Sequence, residues 1–110
     1  MKTKFNFNSQ VCTDKNQSER LLALGLKKET ADCGIYYSEL AGCDRMFAKI
    51  ETEFEADEIP AWSLHRLIEI VAHTQYPYYV ISKELPIYDA LCERIAWLIK
   101  EGYFNKEYLV

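Results

Sequence analysis

Hydrophobic residues recur at helical spacing in three stretches of the chain, and the first of these helices is predicted to begin near Thr13. Thr13 or Asp14 stands where a side chain can cap the free amides of the first turn. Gly25 fits the left-handed position that ends a helix, and Leu26 can then pack back on Leu21, as in a Schellman motif. The expected apolar face is a narrow stripe formed by Gln17, Leu21 and Leu24.

The second predicted helix follows Pro60 and has Ser63 as its N-cap. Trp62, just before the cap, and Leu67 have the spacing of a hydrophobic staple, which fixes the angle at which the chain enters the helix. The apolar positions repeat at i, i+3, i+4 and i+7, which indicates a strong buried stripe. This stripe is expected to contain Leu64, Leu67, Ile68 and Val71.

The third helix is predicted from about Tyr88 to Glu101, with Gly102 as its stop. Tyr103 comes directly after the glycine, and it is expected to pack on Leu98. The pattern gives this helix a buried face made of Tyr88, Leu91, Ile95, Leu98 and Ile99.

A hairpin is predicted between the first two helices. Residues 35–37 are aromatic or β-branched, which favours a strand, and Gly42 favours a turn after it. From Met46 to Phe54 the pattern alternates, which is typical of a half-buried strand. Its buried side is expected to carry Met46, Ala48, Ile50, Thr52 and Phe54, and its exposed side Lys49, Glu51 and Glu53.

Two further features bear on the predicted sheet. Phe47 interrupts the polar side of the alternating stretch, so a helix starting near Cys43 is the alternative structure for residues 43–55. A third strand is predicted over 76–82, where aromatic and β-branched residues predominate and Pro77 is acceptable near a strand start.

The predicted order of elements is helix, two strands, helix, strand, helix. Residues 27–32 are expected to form a surface connection with one helical turn, and residues 55–60 a charged approach to the second helix. The fold class is therefore predicted to be α+β, with a small three-stranded antiparallel or mixed sheet packed against three helices. The 110 residues fit a single domain, 1–110, with residues 1–12 as a candidate extended N-terminal arm.

Composition and charge narrow the classes of function. A chain that is 49% hydrophobic and 27% charged is expected to fold. The net charge is −4 and basic residues are scattered among acidic ones, which argues against direct binding to nucleic acid. No apolar stretch approaches the roughly 20 residues of a membrane span, and the N-terminal residues lack the apolar core of a signal peptide. We therefore expect a cytoplasmic protein that makes no membrane contact.

No spacing in the chain matches a catalytic or cofactor-binding motif. His65 and His73 are eight positions apart, which turns them about 80° from each other on a helix, and the cysteines form no CxxC pair. Neither a GxSxG elbow nor a glycine-rich phosphate loop is present. No catalytic residue, metal or cofactor is therefore predicted. The thiols, expected to be free and largely buried in a cytoplasmic protein, are Cys12, Cys33, Cys43 and Cys92.

Two groups of residues remain as a candidate interaction surface. An acidic run carries five carboxylates within eight residues, which fits either a solvated strand face or a docking surface for a basic partner. The aromatic group lies at positions without a clear core role, and aromatic residues are enriched at binding hot spots. The acidic group is Glu51, Glu53, Glu55, Asp57 and Glu58. The aromatic group is Tyr78, Tyr79, Trp97, Tyr103, Phe104 and Tyr108.

Three stretches of the chain, 11–32, 59–70 and 95–109, resemble a group of small uncharacterised proteins encoded in prophage and other mobile-element regions of gut-bacterial genomes. The resemblance implies an intracellular accessory protein of a mobile element and transfers no functional residues. The function expected is a non-catalytic protein-binding or accessory module, which binds a protein partner or self-associates. The alternatives are an acidic decoy that mimics nucleic acid, and a small enzyme whose site is assembled only by the fold.

Overall fold

The computed structural model describes residues 10–49, 53–74 and 84–110, and within these ranges the chain has the predicted α+β fold. The α-helices are α1 (Lys15–Ala23), α2 (Leu64–Ala72) and α3 (Ile87–Lys100). The strands are β1 (Cys33–Ser38), β2 (Cys43–Ala48) and β3 (Ile59–Ala61). Single 3-10 turns occupy Lys28–Thr30, where one helical turn was expected, and Lys106–Tyr108.

Both ends of α1 are formed as predicted. The Asp14 carboxylate accepts a hydrogen bond from the Gln17 amide at 2.8 Å, and the Gln17 side chain accepts one from the Asp14 amide at 3.0 Å, which completes a capping box. At the other end, Gly25 has φ 100°, a conformation that side chains disfavour. The Leu26 amide then donates to the Leu21 carbonyl at 3.1 Å, so the helix ends in a Schellman motif.

The three strands form an antiparallel sheet in the order β2-β1-β3. The predicted hairpin is confirmed, because Ser38 pairs with Cys43 and Gly42, at φ 69°, donates to the Ser38 carbonyl at 2.8 Å. Its second strand, predicted from Met46 to Phe54, instead begins directly after the turn and ends at Ala48. The alternative prediction, a helix starting near Cys43, is wrong for residues 43–48, because they form β2. The predicted faces of β2 are also wrong, since Met46 and Ala48 are exposed and Phe47 is half-buried.

The third strand of the described sheet lies where a charged connection was expected. Ile59–Ala61 pairs with the first half of β1, and Pro60 lies opposite Gly34. Proline is tolerated because β3 is an outer strand of the described sheet, where the absence of one backbone N–H donor destabilises the sheet least. The strand predicted over 76–82 falls outside the described residues.

The main core lies between the helices and the residues that flank them. Trp62 is fully buried, and its indole N–H donates to Thr30 Oγ1 at 2.9 Å, so the polar atom of this large ring is satisfied. Ser63 caps α2 as predicted by accepting from the Arg66 amide at 3.2 Å. One position of the predicted α2 stripe is wrong: Ile68 is exposed, whereas Ile70 is buried. The largest buried apolar residues of the core are Leu21, Leu26, Trp62, Leu67, Ile70, Leu91, Ile95, Leu98 and Phe104.

The end of α3 differs in one respect from the prediction. Gly102 has φ 79° and the Tyr103 amide donates to the Leu98 carbonyl at 2.9 Å, as a glycine stop requires. The Tyr103 ring, however, stacks on Trp97 with ring centroids 5.8 Å apart. The next residue, Phe104, is the one that enters the core, where it is 2% exposed.

All four cysteines lie in the described ranges and all are free, as predicted. Cys12, Cys33 and Cys92 are buried, whereas Cys43 is exposed at the turn end of β2. Burial raises the pKa of the Cys33 thiol and of the Cys92 thiol to about 12. Three thiols are therefore protonated and shielded, and Cys43 alone is accessible.

Candidate functional site

The most exposed part of the described chain is the far half of the β1-β2 hairpin, residues 36–48, which we call the hairpin arm. β3 pairs with β1 only as far as Ile35, so beyond that residue the described sheet has two strands. Both faces of these strands lie largely open to solvent. The large apolar side chains left exposed are Tyr36, Tyr37, Leu40 and Met46. A two-stranded hairpin is only marginally stable without a surface to pack on.

A groove of about 320 Å³ lies at the base of the hairpin arm. We call it the aromatic groove. Its lining combines two aromatic rings from the hairpin with three carboxylates from the segment before β3. These residues are Tyr36, Phe47, Glu55, Asp57 and Glu58. The two rings meet edge to face, with centroids 5.6 Å apart.

Gly34 determines where the Phe47 ring lies. The two residues are cross-strand partners in β1 and β2, and a β-carbon at position 34 would stand only 2.8 Å from Phe47 Cε1. The ring can therefore lie over the β1 backbone only because residue 34 has no side chain. This packing explains why Phe47, and not Met46 or Ala48, is the partly buried residue of β2.

One of the carboxylates that line the aromatic groove, Glu58, forms an ion pair with Lys49. Lys49 Nζ lies 3.0 Å from Glu58 Oε1, and both side chains are largely removed from solvent. The same ammonium group stands 4.8 Å from the centroid of Phe54 and 5.6 Å from that of Phe47, which are cation–π distances. The hydrogen bond from the Glu55 amide, together with Lys49, lowers the pKa of Glu58 below its ordinary value.

The structure divides the acidic group predicted from the sequence. Glu53, Glu55 and Asp57 are exposed, Glu58 is held by Lys49, and Glu51 lies outside the described residues. Glu55 and Asp57 therefore share a groove with two aromatic rings from another part of the chain. The rings, Tyr36 and Phe47, were not predicted as part of a site, because nothing local in the sequence indicates that the hairpin would bring them to the acidic segment.

The predicted aromatic group is also divided. Trp97 and Tyr103 form an exposed stacked pair, and the Arg94 guanidinium carbon lies 4.5 Å from the Trp97 ring centroid. The prediction of Phe104 as a surface residue is wrong, because its side chain is buried. Tyr108 is half-buried, and its ring packs against Phe104. Tyr78 and Tyr79 lie outside the described residues. Within the described residues, Trp97 and Tyr103 are therefore the exposed members of the predicted aromatic group.

A second cleft, of about 330 Å³, lies beside α2 and is lined mainly by polar side chains that are far apart in the sequence. Arg66 donates to the Thr30 carbonyl at 3.0 Å and pairs with Glu69 at 3.2 Å. His73 Nδ1 and the Tyr108 hydroxyl are 3.0 Å apart. The full lining is Glu29, Thr30, Arg66, Glu69, Ile70, His73 and Tyr108. We call it the polar cleft.

The arginine of the polar cleft is already bound by neighbouring protein groups. The Glu69 carboxylate oxygen that pairs with Arg66 also lies 3.2 Å from His65 Nε2, and Glu29 adds a second carboxylate to the lining. No serine or cysteine lines the cleft beside His73 to act as a nucleophile. Within 10–49, 53–74 and 84–110, no three metal-ligating side chains come together. The arrangement thus favours no particular reaction.

No protein family, curated protein or solved structure matches the chain. In the part of the chain that the structure describes, no helix is both long enough and apolar enough to cross a membrane.

Proposed function

We propose that the protein is a non-catalytic protein-binding module that contacts its partner through the hairpin arm. The observation that carries this proposal is the exposure of Tyr36, Tyr37 and Leu40 on the two-stranded end of the hairpin, with Met46 exposed beside them on the outer strand β2. Large apolar side chains left exposed on one element are typical of interaction sites, because binding removes them from water. Tyrosine adds a hydroxyl that can be satisfied at an interface.

The polar cleft supports this choice over an enzyme. Its arginine is paired with a carboxylate, and its histidine ring has the Tyr108 hydroxyl as its one hydrogen-bond partner among the described residues. A histidine that activates a nucleophile is usually oriented by a further group, and in the described chain no second side chain hydrogen-bonds to the His73 ring. The side chains of the cleft bind one another, which is typical of a structural network.

The hypothesis of a nucleic-acid decoy has less support. A decoy needs an extended array of unpaired carboxylates to imitate phosphates. Lys49 is inserted into the acidic group and pairs with Glu58, which leaves Glu53, Glu55 and Asp57 as its exposed members in the described chain. The cytoplasmic location and the role in a mobile element remain predictions.

Cys43 provides a direct test, because it is the accessible thiol and lies on the hairpin arm. A maleimide-linked photo-crosslinker is attached there and activated in a lysate of the producing cells. We expect a discrete adduct, either with another protein or with a second copy of the chain, and mass spectrometry distinguishes the two.

The matched control moves the same crosslinker to α2 in the variant Cys43→Ser/His65→Cys, since the His65 side chain is 82% exposed. Adducts of equal yield from both positions, or none from Cys43, would show that the hairpin arm is not a contact surface.

A further inference from the structure

We propose that the aromatic groove binds a lysine or arginine side chain from a basic segment of the partner. This inference rests on the proposed function, because it assigns the chemistry recognised at the base of the hairpin arm. The groove is lined by rings and carboxylates, and these are the two kinds of group that bind an alkyl-chain cation.

The charge of the rim selects a cation. Glu58 is neutralised by Lys49, whereas Glu55 and Asp57 form no ion pair within the described ranges. Two exposed carboxylates therefore remain at the edge of the groove. An anionic segment would be repelled there, and a neutral one would leave the carboxylates without a counter-charge.

The floor of the groove suits the rest of such a side chain. Tyr36 and Phe47 offer ring surface against which a methylene stem can pack while its charged head reaches the rim. The edge-to-face arrangement also presents ring faces in different directions, so that a cation can approach one of them directly.

The protein already makes this contact within its own chain. Lys49 holds an ammonium group between the Glu58 carboxylate and the rings of Phe47 and Phe54. The same side of the molecule therefore binds one lysine with a carboxylate and two aromatic rings. Glu55, Asp57 and Tyr36 repeat that combination of groups around the adjacent open space.

The first experiment measures binding of a fluorescein-labelled oligo-lysine peptide to the full chain by fluorescence anisotropy, with oligo-arginine and an uncharged Gly-Ser peptide as parallel probes. We expect both basic peptides to bind and the uncharged peptide not to bind. The variant Glu55→Gln/Asp57→Asn should weaken binding about tenfold, because it removes both unpaired rim charges.

The matched control, Glu101→Gln/Glu107→Gln, removes the same net charge from exposed positions after α3. It should change the affinity less than about twofold, since neither residue lines the groove and salt weakens the effect of exposed charges outside the site. Equal weakening by both double variants would overturn the proposal, because binding would then follow the overall charge. Failure of the basic peptides to bind would also overturn it.

A second variant tests whether the aromatic ring of Tyr36 contributes to binding beyond the apolar surface that it provides. Tyr36→Leu keeps an apolar side chain in the groove and removes the ring, so it should weaken basic-peptide binding several-fold if a cation–π contact contributes. Circular dichroism and the urea midpoint show whether the variant is folded. Unchanged affinity in a folded Tyr36→Leu protein would exclude the ring as part of the site.

The Cys43 crosslink distinguishes failure of this inference from failure of the proposed function. If the crosslink persists in Glu55→Gln/Asp57→Asn and no basic peptide binds, the hairpin arm is a contact surface and the cation site is wrong. If basic peptides bind with the expected pattern and Cys43 gives no adduct, the groove assignment stands and the protein-binding role of the arm fails.

Discussion

The helical core and the hairpin arm both contain large apolar residues, but these residues are buried in the core and exposed in the arm. Leu91 and Leu98 are completely buried between helices, whereas Leu40 is completely exposed at the hairpin turn. In the core, each apolar side chain is covered by several elements. In the arm, the two strands pair only with each other where residues 36–38 meet residues 43–45, and residues 46–48 belong to an outer strand of the described sheet. An apolar residue is therefore buried where several helices or strands pack around it. In the arm, too few described helices or strands are close enough to cover these residues.

Thiol reactivity should show the largest difference between the two regions. Cys43 lies on the arm and is exposed, while Cys92 is buried in α3 with its pKa raised to about 12 by burial. A thiol with that pKa has only about one part in ten thousand as reactive thiolate near pH 8. We expect a thiol reagent such as DTNB to label one cysteine rapidly in the native protein and all four after unfolding.

Labelling of two or more thiols at the same initial rate in native protein would contradict the buried positions of Cys12, Cys33 and Cys92. Cys43→Ser provides the control, because it should abolish the fast phase and leave the slow phases unchanged.

Truncation of a leucine should show the next largest contrast. Leu91→Ala leaves a cavity in the core and should reduce the free energy of unfolding by about 3 kcal/mol. Leu40→Ala removes the same atoms from an exposed position and should change it by less than about 0.5 kcal/mol. Urea denaturation followed by circular dichroism measures both values. Similar losses in the two variants would mean that the turn of the arm is covered in the free protein.

The Lys49–Glu58 pair should give the smallest effect, and that effect should depend on pH. The folded-state pKa of Glu58 lies below its ordinary value of 4.5, so its contribution is fully present above that pH and is lost as pH falls through the lower folded value. Glu58→Gln should therefore be less stable than wild type at neutral pH and should approach it in acid. Urea midpoints across a pH series measure this difference, and a gap that widened toward low pH would contradict the assigned contacts.

Local signals in the sequence were sufficient for the ends of the helices and for the hairpin. Gly25, Ser63 and Gly102 act through hydrogen bonds and backbone angles within a few residues, so their roles could be predicted without knowledge of the fold. The hairpin depends on strand propensity and on Gly42, which are also local. The α+β class followed from these elements.

Long-range contacts explain what the sequence did not show. Ile59–Ala61 is too short for an alternating pattern, and it becomes a strand by pairing with Cys33–Ile35, more than twenty positions earlier. The faces of β2 were mispredicted because alternation shows which residues share a side, and not which side the protein covers. The aromatic groove was missed for the same reason, since its rings and carboxylates meet only after the hairpin folds.

The contact between Gly34 and Phe47 links two positions that are not both in the groove. A single methyl group at position 34 would displace the ring and reshape the groove without altering any residue that lines it. In related sequences we therefore expect the two positions to covary: an aromatic residue at 47 should accompany glycine at 34, and a side chain at 34 should accompany a smaller residue at 47. Such paired changes would identify chains that have kept or abandoned this surface.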